Sequence, residues 1–165
     1  MQIGGLAEWC PWVPHFRYSF EGFDPLLHVR ASGREVGVSP KAAREVCTSI
    51  KGLILSDAKK LLEDVIDLKK PIAFRRYKKK AAHRRSLTNF HAGAYPAKAA
   101  RKILDVVNNL EANADFKGMD SERLKIVHAA ALRGRQVKAF TSRAFGRSSP
   151  SFNTLVHIEL IAREV

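Results

Sequence analysis

The chain has 165 residues, of which 45% are hydrophobic, and 29 Lys and Arg against 16 Asp and Glu give it a formal net charge of +13. This length fits one domain with a real core, and the hydrophobic content excludes wholesale disorder. The positive charge favours a polyanionic partner, either nucleic acid or an acidic membrane surface.

No apolar run approaches the roughly 18 residues of a membrane span, and no signal-peptide pattern begins the chain. Cys10 and Cys47 lie far apart, without a metal-binding spacing, and we expect two reduced thiols. The sequence therefore predicts a cytoplasmic protein that is not held in a membrane.

Residues 1–33 are rich in Trp, Pro and Gly and lack a sustained period, which predicts an irregular, surface-wrapping arm. A single α+β domain is predicted over residues 34–165. It begins with a short strand over residues 33–39, because Val36 and Val38 alternate with polar or small residues.

Apolar residues at helical spacing, with capping and stop signals, predict three helices. These helices begin near Ser39, Ser56 and Pro96, and they end near Gly52, Pro71 and Gly118. Between the second and third helices, residues 69–95 form a basic loop without clean periodicity and with interleaved aromatic residues.

Alternation of apolar residues from Leu124 to Leu132, and again from Val156 to Leu160, predicts two strands. Because one linker joins them, they form an antiparallel hairpin over residues 124–162 with its tip at 142–149. Arms of about eleven residues at ~3.3 Å each extend roughly 30–35 Å past the sheet. An isolated two-stranded ribbon is marginally stable in water, so we expect an outside partner to stabilise it.

The distribution of acids suggests which partner this is. From Leu68 to Leu104 the sequence has twelve Lys and Arg but no Asp or Glu, and acids are again absent from Arg123 to Ile158. Long blocks of like charge are typical of nucleic-acid patches. The basic loop, and the hairpin from Leu124 to Ile158, fall within these acid-free tracts.

Several candidate sites are weaker. His83 and His91 have no carboxylate or Cys at a ligand spacing, so contact with a base or phosphate is favoured over metal binding. The acids Glu63, Asp64 and Asp67 suggest a Mg²⁺ cluster, but they lie on an exposed helix face beside lysines. We expect no catalytic residue, metal, cofactor or small-molecule substrate, and hence no enzyme.

Two strand histidines, His128 and His157, are expected to be structural and to face each other across the ribbon. The aromatic residues of the basic loop have two interpretations. Phe74, Tyr77 and Phe90 either stack on RNA bases or anchor the loop to the core, and the sequence leaves both open. The same holds for Trp9 and Trp12.

The order of motifs closely resembles the family of ribosomal protein twenty-two of the large subunit, in its archaeal form. The resemblance runs from about Phe16 to the C-terminus and rests on REVGVSPKAAREV, IKGLILSDAKKLLEDV, FRRYKKKAAHRR, YPAKAARKILDVVNNLEANAD and RGRQVKAFTSRAFGR. It is most specific in SPK at the first helix, EANA at residues 111–114 and RAxGR in the hairpin. The insert FRRYKKKAAHRR looks like the archaeal and eukaryotic form.

This resemblance implies an α+β fold of three helices packed on a small three-stranded antiparallel sheet, with a long protruding β-hairpin. It also implies binding to large-subunit ribosomal RNA during assembly, next to neighbouring large-subunit ribosomal proteins. Members of the family line the polypeptide exit tunnel with the hairpin, so that the nascent polypeptide passes its tip.

Carried onto this sequence, the resemblance and the basic tracts give two sets of residues. The candidate RNA-binding residues are Lys41, Lys69, Lys70, Arg75, Arg76, Lys78, Lys79, Lys80, His83, Arg84, Arg85, Lys98, Lys102, Arg133, Arg135, Lys138, Arg143 and Arg147. The tunnel-facing tip comprises Ser142, Arg143, Ala144, Phe145, Gly146, Arg147 and Ser148. Ser142 replaces a proline usual in the family, and Val156 replaces a threonine.

Two other functions stay open at this stage. One is a basic architectural or regulatory protein that binds nucleic acid outside the ribosome, for which duplex DNA would compete as well as ribosomal RNA. The other is a metal-dependent nuclease, which would lose Mg²⁺-dependent RNA cleavage in Asp64→Asn and Asp67→Asn variants.

Overall fold

The computed structural model describes residues 18–88 and 90–165. Within these ranges the helices are α1 (Pro40–Ile50), α2 (Leu55–Ile66) and α3 (Ala97–Phe116). The strands are β1 (His28–Val36), β2 (Ile72–Ala73), β3 (Gly93–Ala94), β4 (Leu124–Ser142) and β5 (Ser148–Glu164). Trp9, Cys10 and Trp12 lie outside the described residues.

The main sheet has three strands in the order β1-β5-β4, and both pairings are antiparallel. A smaller sheet pairs β2 with β3. The long β4 and β5 continue well past the end of β1 as a two-stranded ribbon. This architecture confirms the predicted α+β fold with its protruding hairpin.

The hydrophobic core lies between the three helices and one face of the main sheet. Leu62, Ile103 and Leu110 of the helices meet Ile158 and Leu160 of the sheet, and each of these side chains is fully inaccessible to solvent. Burial of one such side chain contributes about 1.5–3 kcal/mol. The core therefore fixes the root of the hairpin rigidly against the helices.

Five of the six helix ends agree with the predicted ones to within one or two residues, but α2 ends at Ile66, five residues before the predicted stop at Pro71, because Leu68 already has a left-handed φ of 62°. Ser39 is extended at the N-cap of α1, with Pro40 as the first helical residue. The α2 helix begins at Leu55, one residue before the predicted cap Ser56, and α3 ends two residues before Gly118. Gly118 has a φ of 71°, a left-handed conformation that costs glycine little.

The prediction that residues 1–33 form an irregular arm is wrong from His28 onward, where β1 begins. The missed residues pair with β5, and His28 lies opposite Arg163. The two faces of this part of β1 have different neighbours. Val29 and Ala31 join the core, whereas His28 lies on the other face and is buried beneath other side chains, including Phe20. The alternation of Val29 and Ala31 with Arg30 and Ser32 spans only four residues, which is too short to reveal the strand without its partner β5.

Residues just before β1 do wrap the surface, on the face of the sheet opposite the helices. The Ser19 backbone N–H and hydroxyl both donate to the Glu159 carboxylate, at 3.0 and 2.7 Å. His128 Nε2 lies 3.6 Å from the same oxygen, and the Phe20 ring centroid is 5.5 Å from that of His128. This segment covers the buried Glu159.

The structural role predicted for His128 agrees with this contact, but the facing of His128 and His157 is wrong. Their cross-strand partners are Ile161 and Leu132 respectively. The bulge in β4 between Ile126 and His128 is not the cause, because the register before it, with Ile126 opposite Ala162, would place His128 opposite Leu160. The register of the two strands, which the alternation of residues does not reveal, keeps the histidines apart. His157 Nδ1 instead accepts the backbone N–H of Glu35, at 3.2 Å.

Candidate nucleic-acid interface

The basic loop of residues 69–95 has more structure than predicted. Its ends pair as β2 and β3, with Ile72 opposite Ala94, and an isolated bridge joins His83 to Ala92. The Phe74 N–H also donates to the Ala92 carbonyl, at 3.0 Å. Its basic side chains are therefore displayed from an ordered backbone.

A buried carboxylate on α1 holds the most basic part of this loop. Glu45 is 3% exposed, and its two oxygens accept the backbone N–H groups of Arg75, Arg76 and Tyr77 at 3.2, 3.1 and 3.2 Å. Hydrogen bonds to a charged acceptor are stronger than neutral ones. The Arg75 and Arg76 side chains extend from this anchored backbone and are exposed.

Three parts of the fold meet around Tyr77. A hydrogen bond from Arg44 lowers the pKa of the Tyr77 hydroxyl, burial opposes this shift, and the positive charges of Arg76, Arg44 and Arg133 also lower it. The Lys41 ammonium lies 5.8 Å from the Tyr77 ring centroid. We call Lys41, Arg44, Arg76, Tyr77 and Arg133 the loop–hairpin surface, because it joins α1 and the loop to the root of the hairpin.

Neither Arg44 nor Glu45 was predicted to belong to the site. Arg44 follows Lys41 by three residues on α1, so helical periodicity places the two on one face and would have found it. Glu45 has no comparable signal, because an acid in an amphipathic helix normally faces solvent. Its partners are backbone groups thirty or more residues away in the sequence.

The aromatic residues of the loop are half-buried and pair with cations. The Arg75 guanidinium lies 5.7 Å from the Phe90 ring centroid, and that ring stacks on His91 at 5.0 Å. Phe74 and Tyr77 are also half-buried. Anchoring of the loop is therefore observed, and the part of each ring that remains exposed is available for stacking.

One predicted RNA-binding residue, Arg84, also packs inside the loop. Its guanidinium lies 5.0 Å from the Tyr95 ring, and its Nε is buried without a hydrogen-bond partner in the described structure. A Cβ on Gly93 would approach Leu87 Cδ1 to 2.5 Å and Arg84 Cγ to 3.0 Å. The Arg84 side chain can therefore occupy this position only because residue 93 is a glycine.

Three other candidates have acidic partners at the surface. Lys69 Nζ lies 2.8 Å from Asp67, Lys102 Nζ lies 3.3 Å from Asp105, and an Arg135 nitrogen lies 3.5 Å from Glu35. The hydrogen bond to Asp67 raises the pKa of Lys69. Exposed pairs of this kind are weak. The remaining loop and α3 candidates are exposed, namely Lys70, Lys78, Lys79, Lys80, His83, Arg85 and Lys98.

The hairpin is solvent-exposed over most of its length beyond Leu132, and its candidates Arg133, Lys138, Arg143 and Arg147 are all exposed. The strands end at Ser142 and resume at Ser148, so the predicted tip is a tight turn. There the Arg143 N–H donates to the Arg147 carbonyl at 2.8 Å.

The middle of this turn is conformationally unusual. Phe145 has a φ of 57° and Gly146 a φ of 65°, and the Phe145 side chain is 100% exposed. A left-handed conformation is uncommon for a bulky residue. A fully exposed phenylalanine held at the end of a ribbon suits contact with a surface outside the chain.

Of the acidic residues at the end of α2, Asp67 pairs through its carboxylate with Lys69, whereas Asp64 contacts the following residues through its backbone. The Asp64 carbonyl accepts the N–H groups of Lys69 and Lys70, at 2.8 and 3.2 Å. Within residues 18–88 and 90–165, no group of three or more His, Cys, Asp or Glu could hold a metal ion.

Among the helices of the described residues, none is long and apolar enough to cross a membrane. Cys47 is a free thiol, and burial raises its pKa to about 12.

Comparison with known proteins agrees with this geometry. Residues 31–163 match the sequence profile of the family described as ribosomal protein L22p/L17e. The large ribosomal subunit protein uL22 of Archaeoglobus fulgidus is 48% identical over 145 residues, which cover 88% of this chain and 94% of that protein. The protein of the same name from Cenarchaeum symbiosum is 48% identical over 149 residues, covering 90% and 97%. The chain belongs to the ribosomal protein L22p/L17e family.

Proposed function

We propose that the chain is a structural constituent of the large ribosomal subunit in the cytoplasm, where it binds large-subunit ribosomal RNA and aids its assembly. It contacts neighbouring ribosomal proteins, and its hairpin lines the polypeptide exit tunnel with the tip toward the nascent polypeptide. The role is non-enzymatic, since binding and positioning account for it.

The observation that carries the proposal is the loop–hairpin surface. Lys41 and Arg76 lie near the Tyr77 ring, Arg44 bonds to its hydroxyl, and the charge of Arg133 also acts on it. No Asp or Glu occurs from Leu68 to Leu104 or from Arg123 to Ile158. Such a surface neutralises phosphates and releases condensed counterions, which drives binding. Because Glu45 fixes the loop backbone, little conformational entropy is lost when RNA binds.

The hairpin adds reach to this surface. Beyond Arg133 no third strand pairs with it in the described structure, and most of its side chains are exposed, so RNA on one side supplies the contacts that the fold omits. The exposed Arg143 and Arg147 flank Phe145 at the far end. Cations and a ring presented together suit contacts with the RNA wall of a tunnel.

The test is binding of the full chain to protein-free large-subunit ribosomal RNA over a series of KCl concentrations. We expect steep salt dependence and no effective competition by duplex DNA. Replacement of Lys78, Lys79 and Lys80 by Ala should reduce the log–log slope by about 0.7–0.9 for each phosphate that the variant no longer neutralises. The charge-matched control replaces three exposed lysines outside the basic loop, namely Lys51, Lys60 and Lys125. Lys51 follows the C-terminal end of α1, whereas Lys41 lies at the other end of that helix.

An equal loss of slope in both triple variants would reject the basic loop as the contact surface. Effective competition by duplex DNA would instead favour a nucleic-acid-binding protein that acts outside the ribosome. In cells, the protein should sediment with large subunits and remain there after a high-salt wash, whereas release by the wash would contradict a role as a structural constituent.

A further inference from the structure

Beyond its root, the hairpin has two chemically different faces. Directly opposed residues of an antiparallel pair lie on the same face, and successive residues alternate between faces. In the ribbon, Lys138 is opposite Phe152 and Ala139 is opposite Ser151. The described register therefore assigns each exposed side chain of the ribbon to one face or the other.

The first face, which we call the aromatic face, continues from the side of the sheet that packs on the helices. Its members are Gln136, Lys138, Phe140, Pro150, Phe152 and Thr154. The Phe140 and Phe152 rings meet edge to face, with centroids 6.0 Å apart. They are 64% and 46% exposed, because no part of the hydrophobic core lies next to them. Lys138 stands beside both.

The second face, which we call the small face, consists of short and neutral side chains. Its members are Val137, Ala139, Thr141, Ser149, Ser151 and Asn153. Among these six there is no ring and no formal charge. The difference between the faces is therefore in side-chain size and aromatic character. A charge reaches the small face only at its tip end, where Arg143 Nε donates to Ser149 Oγ at 3.3 Å.

Each composition suits a different neighbour. Exposed rings beside a lysine are the combination with which proteins hold unpaired RNA, because rings stack on bases while cations meet phosphates. A wall past which a peptide moves requires weak adhesion, and small neutral side chains offer little apolar area and no charge to retain it. No carboxylate from Arg123 to Ile158 would repel RNA on the aromatic face.

We propose that the aromatic face lies against ribosomal RNA, with Phe140 and Phe152 on bases and Lys138 on phosphate, and that the small face is turned toward the nascent polypeptide. This assignment rests on the proposed function, and it adds which side of the ribbon meets which partner. It also explains why two phenylalanines are left in solvent on a ribbon without a core.

The first test compares two double variants for binding of the full chain to protein-free large-subunit ribosomal RNA. Phe140→Ala with Phe152→Ala should weaken binding about tenfold or more, because the variant loses two rings that stack on bases. Val137→Ala with Thr141→Ala shortens the small face at comparable positions and should change binding less than about twofold. All four residues are exposed and lie outside the core, so the thermal unfolding of the body should be unchanged. Equal losses in the two variants would overturn the assignment.

The second test uses two neighbouring residues that lie on opposite faces. In a Cys10→Ser background, Ser151→Cys and Phe152→Cys are each labelled with a short photo-crosslinker, while Cys47 is buried and unlabelled. The labelled proteins are assembled into large subunits in ribosomes with a stalled nascent chain. We expect position 152 to cross-link to RNA and position 151 to cross-link to the nascent peptide.

The reverse pattern, or RNA cross-links of equal yield from both positions, would overturn the assignment of faces while leaving RNA binding intact. Assembled subunits that give no RNA cross-link from either position would contradict the proposed placement of the hairpin itself. The two failures are therefore distinguishable within one experiment.

Discussion

The basic loop and the distal ribbon both display Lys and Arg to solvent, but they differ in what holds their backbones. The loop is bonded to the buried Glu45, and its rings are half-buried. The ribbon is held by its own cross-strand ladder and ends in an exposed turn. One basic region is therefore organised before a partner binds, whereas the other gains its supporting contacts from the partner.

The largest expected effect follows from removing the carboxylate that organises the loop. Glu45→Ala leaves three backbone donors without their charged acceptor, and we expect the free energy of unfolding to fall by about 2–4 kcal/mol. Affinity for ribosomal RNA should fall as well, although removal of a negative charge would by itself raise it. Urea unfolding and RNA titration measure the two effects.

The matched control is Glu63→Ala, which removes an exposed acid on α2 and should leave RNA affinity the same or slightly higher. Glu45→Gln keeps the oxygen that serves Arg76 and Tyr77 and should retain part of the affinity. If Glu45→Ala bound RNA as tightly as Glu63→Ala, the anchored backbone would be irrelevant to binding.

The second effect concerns how readily the two regions open. Amide hydrogens of Arg76 and Tyr77 should exchange at least about tenfold more slowly than those of Val137 and Ala139 in the free protein, because few buried contacts protect the ribbon. Bound to ribosomal RNA, the ribbon amides should slow and the loop amides should change little. A ribbon already as protected as the loop in the free protein would remove the contrast.

A smaller effect is expected from adding one methyl group in each region. Gly93→Ala meets Leu87 and the stem of Arg84 in the packed loop, so we expect a loss of about 1–2 kcal/mol. Gly134→Ala meets only the His157 ring, at 2.7 Å from Nε2. That half-buried ring can shift only by giving up the hydrogen bond that its Nδ1 accepts from the Glu35 N–H, so we expect a loss of about 1 kcal/mol. Thermal unfolding of both variants would test this order.

The sequence indicated those parts of this comparison that depend on neighbouring residues. Ser39 and Pro40 marked the start of α1, alternation marked the hairpin strands, and the absence of acids marked the basic surface. What it could not indicate depends on distant partners. The start of β1 at His28 is set by pairing with β5, and the burial of Glu45 is set by the loop backbone.

The same limit applies to the facing of His128 and His157, because the register of β4 against β5 places them opposite Ile161 and Leu132. A bulge shifts the register by one residue, and in a strand this moves side chains to the other face. Assignment of the aromatic and small faces therefore required the observed register, because a second bulge lies between Arg133 and Gln136.

The smallest effect tests the joint between the two regions, at Tyr77. Its pKa is lowered by the hydrogen bond from Arg44 and by nearby arginines, so its ionisation in the folded protein begins at a lower pH than in the unfolded chain. The folded state therefore gains stability relative to the unfolded state as pH rises through this lowered pKa toward the usual value near 10. Over the same pH window the phenolate adds a negative charge to the loop–hairpin surface, so RNA affinity should decline.

The Tyr77→Phe variant should bind RNA nearly as well at pH 7 and should lose this alkaline decline, because no ionisable hydroxyl remains. RNA titrations at pH 7 and at two higher pH values compare the variant with the unchanged protein. An equal decline in Tyr77→Phe would assign the pH dependence to other groups, and Tyr77 would then not connect the hairpin root and the loop in RNA binding.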